Sequence, residues 1–291
     1  MIDTVTGAQA FAVQVKGLLD LEGRYQPKLT GLRLIETAQD NGLRMTSRLR
    51  ELEVKDLLYR CRFFGFSSET FSLAVSLLDR FLSVMKIQPK HLPCVGLCCF
   101  YIAVKSSEDE KNVPLASDLI RISQNRFTVS DMMRMEKIIM EKLYWKVKAP
   151  TALHFLRLFH SHIQEQLDVE SREILSIERL EAQLKACHCS FIFSKLKVGS
   201  KPRLVHLVLQ IIMLSLLTFL VFEDIYFLFL DGDLLCIREL VRKCLVEYAN
   251  TKCSRPNSQR LRWIISGRTA SQLKHSYYKI THLPTIPESA C

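Results

Sequence analysis

One helix-forming segment, Glu69–Ser83, constrains the fold of this chain more than any other part of its sequence. Its residues, ETFSLAVSLLDRFLS, repeat apolar side chains at the three- and four-residue spacing of a helix that faces a core. Apolar residues also cover much of the opposite side, so the helix is predicted to be buried. A buried carboxylate needs a partner because an isolated charge is unstable in apolar surroundings. Asp79 is therefore predicted to form a structural ion pair with a basic residue elsewhere in the chain.

The composition is typical of a folded helical protein. Of the 291 residues, 48% are hydrophobic and 24% are charged, which argues against general disorder. Only 10 Gly and 9 Pro occur, so helices are favoured over strands and turns. The length suits one large domain or two ordinary ones.

The 10 cysteines could indicate a secreted disulfide protein, but the rest of the sequence does not fit that class. The first residues, MIDTVTGAQAF, lack the basic and apolar segments of a signal peptide, and no Asn-X-Ser/Thr sequon occurs. Cys94, Cys98 and Cys99 lie in an apolar helical run and are interpreted as small buried hydrophobes. We expect a reducing compartment, in the nucleus and cytoplasm.

No site for a metal, a cofactor or catalysis is predicted. Cys187-His188-Cys189 carries metal-binding side chains, but no second pair stands at the spacing of a zinc site. The sequence contains no Gly-rich phosphate loop, HExxH motif or nucleophile elbow. The chain is therefore predicted not to be an enzyme and not to take a small-molecule substrate.

The net charge of +10 is concentrated late in the chain. No acidic residue occurs from Ala249 to Pro287, and a second basic cluster lies between Lys195 and Arg203. The basic residues of the tail are Lys252, Arg255, Arg260, Arg262, Arg268, Lys274 and Lys279. This charge is typical of a solvated tail or an import signal, and it leaves nucleic-acid binding as a less favoured alternative.

Helical patterns flank the opening segment on both sides. Five helices with short connections are expected between Leu43 and Lys148, one of them buried on nearly all sides. The predicted helices are an N-terminal one up to Arg24, Leu43–Phe63, the opening segment, one that begins at Pro93, Ala116–Ser123, one capped by Ser130-Asp131, Leu153–Ile163 and Ile174–Phe193. Ala149-Pro150 is interpreted as the joint between two helical sets.

The stretch Leu204–Phe222 contains no formally charged residue. Its length and apolarity meet the rule of about 18 residues for a membrane span. The alternative is a buried helix of the second bundle, interrupted at Glu223. We favour the buried helix, because a span would place the tail outside the cytosol, and no membrane association is expected.

Three separated motifs, in order, resemble the cyclin box: DRFL at residues 79–82, YIAVKSSED at 101–109 and RMEKI at 134–138. The resemblance implies an all-α fold of tandem cyclin-box bundles, the second one altered. It divides the chain into an N-terminal helical extension (1–42), an N-terminal cyclin box (43–149), a C-terminal cyclin-like domain (150–248) and a basic tail (249–291).

Several further segments resemble the G-type cyclins, among them NGLRMTSRLRELEVKDLL, LEAQLKACHC and SGRTASQLKHSYYKITHLPTIPE. Residues 198–230 do not match that subgroup. One hypothesis is a translated intron, since pyrimidine-rich sequence before an acceptor site encodes mainly Phe and Leu. An uninterrupted exon across this stretch would disprove it.

The resemblance assigns four site residues. Arg50 matches the arginine that pairs in cyclins with the aspartate of the DRFL helix, here Asp79. Lys105 and Glu136 match the lysine and glutamate that contact the kinase partner. Many cyclins also dock substrates in an apolar groove, here represented by Leu49, Leu52, Asp56, Tyr59 and Pro93. Asp56 stands where many cyclins have tryptophan, so this groove is expected to be degenerate.

The implied function is regulation of a cyclin-dependent serine/threonine kinase in cell-cycle or growth control. The G-type resemblance implies an alternative, a scaffold that recruits type 2A protein phosphatase through its B-prime subunit in the DNA-damage response. A third alternative, a nucleic-acid-binding protein with a cyclin-like fold, depends only on the basic tail. The RxxLxxxxN pattern from Arg242 to Asn250 matches a degradation motif, and we interpret it as structural.

Overall fold

A computed structural model describes residues 2–39, 42–167, 172, 175–195, 207–209, 211–212 and 232–250. Within these residues the chain is helical and contains no strand, which confirms the predicted all-α class. The helices are α1 (Ile2–Tyr25), α2 (Leu29–Glu36), α3 (Ser47–Phe64), α4 (Ser68–Val84), α5 (Leu92–Ser107), α6 (Ala116–Ser123), α7 (Val129–Lys142), α8 (Ala152–Gln164), α9 (Ile177–Cys189), α10 (Ile192–Lys195) and α11 (Gly232–Asn250).

The first bundle is built around α5, as the apolar sequence of that helix predicts. Helices α3, α4, α6 and α7 all pack against it. Leu97, Cys98 and Phe100 are completely buried, and Cys98 donates a hydrogen bond from Sγ to the carbonyl of Met132 on α7 at 3.3 Å. Because α5 is enclosed by other helices, its position is fixed, and residues near its end are presented from a rigid support.

Capping residues set where the helices begin, and two of the predicted starts were wrong. The helix expected from Leu43 begins at Ser47, because the Thr46 side chain accepts a hydrogen bond from the Leu49 amide. The helix expected to be capped by Ser130 is capped instead by Thr128. The Thr128 and Asp131 side chains form a reciprocal capping box, which leaves Ser130 inside the first turn of α7.

The N-terminal helices pack against both bundles. The sequence analysis missed α2, whose residues Leu32 and Ile35 join the first core. Gly31 lies so close to the Ser83 carbonyl that a larger side chain would overlap it. In contrast, α1 packs on α8, and its Leu18 and Leu19 border the second core. The predicted division at residue 42 therefore separates segments that share a core.

The second core is formed by α8, α9, α11 and four residues that lie between α10 and α11 in sequence. Those four, Leu207, Val208, Ile211 and Ile212, are buried, as the alternative of a buried helix requires. Most of the apolar stretch 198–230 lies outside the described residues, as does the tail 251–291. In the described part of the chain, no helix combines the length and apolarity that a bilayer span needs.

One long helix was predicted over Ile174–Phe193, but the structure has two shorter ones. Helix α9 ends at Cys189, and Ser190 adopts an extended conformation. The chain leaves the helix there because the Phe191 amide donates to the Glu51 carboxylate on α3 at 2.8 Å. Cys187 and Cys189 are buried in this region. No group of three metal-binding side chains occurs among the residues the structure describes.

Candidate partner-binding surface

Arg50 on α3 and Asp79 on α4 form a buried, two-pronged ion pair. The guanidinium donates from Nε and Nη2 to the two carboxylate oxygens, each at 2.8 Å. Both side chains are almost completely buried, so the two groups satisfy one another in place of water. Arg50 Nη1 also donates to the carbonyl of His188 on α9 at 2.6 Å. The same arginine therefore joins the first bundle to the second.

Arg80, the next residue, fixes the segment that follows α7. Its Nη2 donates to the Lys146 carbonyl at 2.8 Å, and its guanidinium lies 5.1 Å from the ring centre of Tyr25 on α1. Burial lowers the pKa of this guanidinium from its ordinary value, with smaller raising contributions from Tyr25 and Cys99. The adjacent acid and base of α4 thus serve different contacts, one with α3 and one with the segment after α7.

Lys105 and Glu136 are brought together at the surface, although 31 residues separate them in sequence. Lys105 lies in the last turn of α5 and Glu136 in the middle of α7, and they form a close ion pair. The Lys105 side chain is 37% exposed and that of Glu136 is 23% exposed. The Lys105 Nζ also lies 4.5 Å from the ring centre of Tyr101, one turn earlier on α5. Both charges are consequently held in place and still reach solvent.

Two large aromatic side chains follow α7 and project into solvent. Tyr144 is 80% exposed and Trp145 is 66% exposed. Both have left-handed backbone conformations, with φ of 54° and 57°. Such conformations cost about 1–2 kcal/mol for a residue other than glycine. The Trp145 amide donates to the Met140 carbonyl at 2.8 Å, which ends the helix in this strained form.

The predicted groove residues lie along α3 and at the start of α5. Leu49 and Tyr59 are half-buried against the first core, and Leu52 is 54% exposed. The Asp56 side chain is 46% exposed and forms a close ion pair with Arg60, one turn later in α3. Pro93 is half-buried in the first turn of α5. The position where a tryptophan floor would lie therefore carries a carboxylate that is already paired within α3.

Two buried charged residues of α3, Glu53 and Arg60, were missed by the sequence analysis. Both are buried, and Arg60 Nη1 lies 3.4 Å from Glu53 Oε1. Burial raises the pKa of Glu53 to about 7, against the lowering effect of Arg60. Glu53 packs directly on the Cα of Gly96, where α3 crosses α5. The available clue was the presence of two charges at positions of α3 that should face the core.

The family comparison follows from these arrangements. The N-terminal domain of cyclins matches residues 20–148, which include the buried ion pair and both predicted kinase-binding residues. Human cyclin-G1 is 62% identical, with 98% of this chain and 97% of that protein covered. The chain belongs to the cyclin family. Its similarity to mouse cyclin-G1, at 58% identity over both full lengths, places this cyclin among the G-type members.

Two other matches show how far the similarity extends beyond cyclin-G1. Mouse cyclin-G2 is 46% identical and covers 96% of this cyclin and 83% of its own length. A viral cyclin from herpesvirus saimiri superimposes with a TM-score of 0.56 over 89% of this cyclin and 97% of that chain, at 19% identity. The structural match confirms the cyclin fold. Family membership makes this cyclin a regulatory protein of the cyclin type, a class that acts by binding rather than by catalysis.

Proposed function

We propose that this cyclin is a regulatory subunit that binds a cyclin-dependent serine/threonine kinase in cell-cycle or growth control. The observation that carries the proposal is the Lys105–Glu136 ion pair between α5 and α7, with two exposed aromatic side chains at the end of α7. We call this the α5–α7 surface and define it by Lys105, Glu136, Tyr144 and Trp145.

The composition of the α5–α7 surface suits a protein interface. Exposed tyrosine and tryptophan provide large contact areas at a small loss of conformational entropy, and interfaces are enriched in both. Lys105 and Glu136 supply two polar anchors of opposite charge. Because each already touches a partner within the chain, its position is restricted before binding, and less entropy is lost when a kinase docks.

The supporting contacts also fit this role. A kinase requires a correctly placed helix to form the Lys–Glu pair that orients ATP, and a cyclin-type activator must press on that helix from a rigid base. Here α5 is enclosed by four helices, and Arg80 binds the carbonyl of Lys146 beside the aromatic pair. A strained backbone at Tyr144 and Trp145 is consistent with a constraint imposed by function.

Charge reversal at the α5–α7 surface tests the proposal. Lys105→Glu and Glu136→Lys are each expected to lower kinase binding by about tenfold or more, because each leaves two like charges side by side. The control is Arg242→Glu, which reverses one member of an exposed ion pair on α11. Binding would be measured by co-purification with a panel of cyclin-dependent kinases, alongside thermal unfolding of each variant.

The doubly reversed variant, Lys105→Glu with Glu136→Lys, separates a binding role from a structural one. It restores an ion pair within the chain, so its folding stability should match that of the natural protein. If the two residues contact a kinase, its binding stays weak. Kinase binding that recovered fully in the double variant, or that no reversal reduced, would refute the assignment of these residues.

The second candidate is the scaffold function, in which the chain recruits type 2A protein phosphatase through its B-prime subunit. The altered docking groove favours it, because Asp56 stands where many cyclins have tryptophan and forms an ion pair with Arg60. A scaffold should retain the phosphatase when Lys105 is reversed, whereas a kinase regulator should lose its kinase. Quantifying both proteins in one affinity purification distinguishes the two functions.

A further inference from the structure

A concave surface is lined by residues that do not belong to the α5–α7 surface. It encloses about 560 Å³ between α2, residues 37–38 and 43–45, and residues 82–88. Its apolar lining includes Leu34, Leu43, Met45, Met85 and Ile87. We call it the α2–α4 groove. None of its lining residues belongs to the predicted docking groove along α3.

The apolar side chains of the α2–α4 groove are unusually accessible. Leu34 is 55% exposed and Leu43 is 74% exposed, while Ile35 and Met45 form a buried base. Large apolar side chains that stay in contact with water around a concavity are typical of surfaces that bind another protein. The open leucines indicate an apolar segment of a partner rather than a small polar ligand.

The charged residues of the α2–α4 groove indicate which charge the bound partner segment should carry. Among the lining residues that the structure describes, the formal charges are those of Arg44 and Lys86, both positive and both exposed. Arg33 and Glu36, which are exposed on α2 on either side of Leu34 and Ile35, carry opposite charges that offset one another. The ends of α2 and α4 also border the groove and contribute roughly half a negative charge each. Two full cations exceed these partial charges, so the local potential is positive.

Carbonyl groups in the last turn of each of those helices already accept hydrogen bonds from within the chain. These bonds reduce the electrostatic effect of the helix ends on a ligand. At the end of α2, the Thr37 amide and hydroxyl both donate to the Arg33 carbonyl at 3.0 Å. At the end of α4, the Ser83 hydroxyl donates to the Arg80 carbonyl at 2.7 Å. The two cations therefore dominate recognition at the groove.

We propose that the α2–α4 groove binds an acidic amphipathic peptide segment of a partner protein. Apolar side chains of the segment would lie between Leu34, Leu43 and Ile87, and its carboxylates would face Arg44 and Lys86. Binding of an amphipathic segment by an apolar groove with charged edges is a common mode of peptide recognition. The basic C-terminal tail of this cyclin has the wrong charge for the site. This groove would act independently of a kinase at the α5–α7 surface.

The test uses two synthetic peptides of about 14 residues with leucines at helical spacing. One has glutamate at the remaining positions and the other has lysine at the same positions. Binding of each labelled peptide to the full chain would be followed by fluorescence anisotropy. We expect the acidic peptide to bind about tenfold or more tightly than the basic one.

Surface variants locate the binding. Leu34→Ser removes an exposed leucine and should weaken the acidic peptide without lowering the unfolding temperature. The double variant Arg44→Glu with Lys86→Glu should reverse the preference between the two peptides. The control, Lys90→Glu, reverses an exposed cation next to the groove that does not line it. It should leave the preference unchanged.

Several results would overturn the proposal: equal binding of the two peptides, binding of neither, or binding that Leu34→Ser does not weaken. The groove could instead hold a second copy of this chain. Sedimentation would then show self-association that Leu34→Ser abolishes, and the acidic-peptide proposal would fail. Lys105→Glu should leave peptide binding unchanged, so the outcome is independent of the kinase proposal.

Discussion

The carboxylate of Glu53 packs on the Cα of Gly96, at the place where α3 contacts α5. An added methyl group at residue 96 would overlap the carboxylate. Glycine usually weakens a helix interior by about 0.5–1 kcal/mol relative to alanine. Here it makes room for a buried acid, so the ordinary preference is reversed.

Gly96→Ala should therefore destabilise the fold by about 1–3 kcal/mol, because the buried carboxylate has little room to move. Chemical denaturation would measure the loss. A second substitution, Glu53→Ala, should recover part of it by removing the overlapping atoms. The matched control is Gly17→Ala in α1, where nothing lies near an added Cβ. That change should be neutral or stabilising, and a similar loss at both glycines would contradict the packing argument.

The raised pKa of Glu53 predicts a pH dependence with a definite sign. Its pKa is 4.5 in an ordinary environment and about 7 in the folded protein, so the folded state binds the proton more tightly. The proton on Glu53 therefore stabilises the folded protein. This contribution to the free energy of unfolding is fully present below pH 4.5 and is lost as the pH rises through about 7. A shift of this size corresponds to a loss on the order of 3 kcal/mol.

Glu53→Gln isolates this effect because glutamine stays neutral. The free energy of unfolding of the variant, minus that of the natural protein, should increase between pH 5 and pH 8. His154 behaves in the opposite way, since burial lowers its pKa and stability is lost as the pH falls. It contributes equally to both proteins and cancels in the difference. A difference that stayed constant with pH would refute the assignment.

Breaking the Arg50–Asp79 pair should destabilise the protein severely. Asp79→Asn leaves the buried guanidinium without a counter-charge, and such losses are typically about 3–5 kcal/mol. Replacing both residues, with Arg50→Met and Asp79→Leu, should cost less than the sum of the single changes. Urea denaturation would measure each variant. Asp109→Asn is the control, because its ion pair with Lys111 is exposed and should contribute under about 1 kcal/mol.

The capping box of α7 gives a prediction for the helix that carries Glu136. Thr128→Ala should destabilise by about 1 kcal/mol, whereas Ser130→Ala should change stability by less than about 0.5 kcal/mol. Hydrogen bonds from the Thr128 amide and hydroxyl lower the pKa of Asp131 to about 2. The contribution of ionised Asp131 to folding stability is present above its ordinary pKa of 3.8 and is lost as the pH falls through about 2.

An NMR titration provides a second measurement. In the Thr128→Ala variant the pKa of Asp131 should rise toward its ordinary value, since the hydroxyl donor is gone. The Ser130→Ala variant should leave it low. If Ser130 were the cap, as its sequence position suggested, the two outcomes would be exchanged.

The sequence predicted some of these features well. The apolar pattern around residue 79 identified a buried helix, and Asp79 in that setting required a partner. Ala116–Ser123 was located with both ends correct. The starts of α3 and α7 were missed because Thr46 and Thr128 cap them through side-chain hydrogen bonds whose geometry no hydrophobic pattern reveals.

Other features depended on contacts between distant segments. Arg50 could be matched to Asp79 only through the family resemblance, and nothing local predicted its third bond, to the carbonyl of His188. The break after Cys189 likewise depends on Glu51, which lies far away in sequence. Short helices such as α2, with 8 residues, span too few turns for a periodic pattern to stand out, and they are stabilised mainly by the surface they pack on.

By itself the sequence determined the class of the fold, the helix around Asp79 and the family to which the chain belongs. These are recorded in hydrophobic spacing and in short motifs, which are local properties of the chain. Only the tertiary structure showed that Glu53 and Gly96 fit together, that Lys105 pairs with Glu136 while Tyr144 and Trp145 project into solvent after α7, and that an open groove lies between α2 and α4. Burial, pKa and exposure result from the packing of separate helices, so the environment of each charged group was decided by the fold.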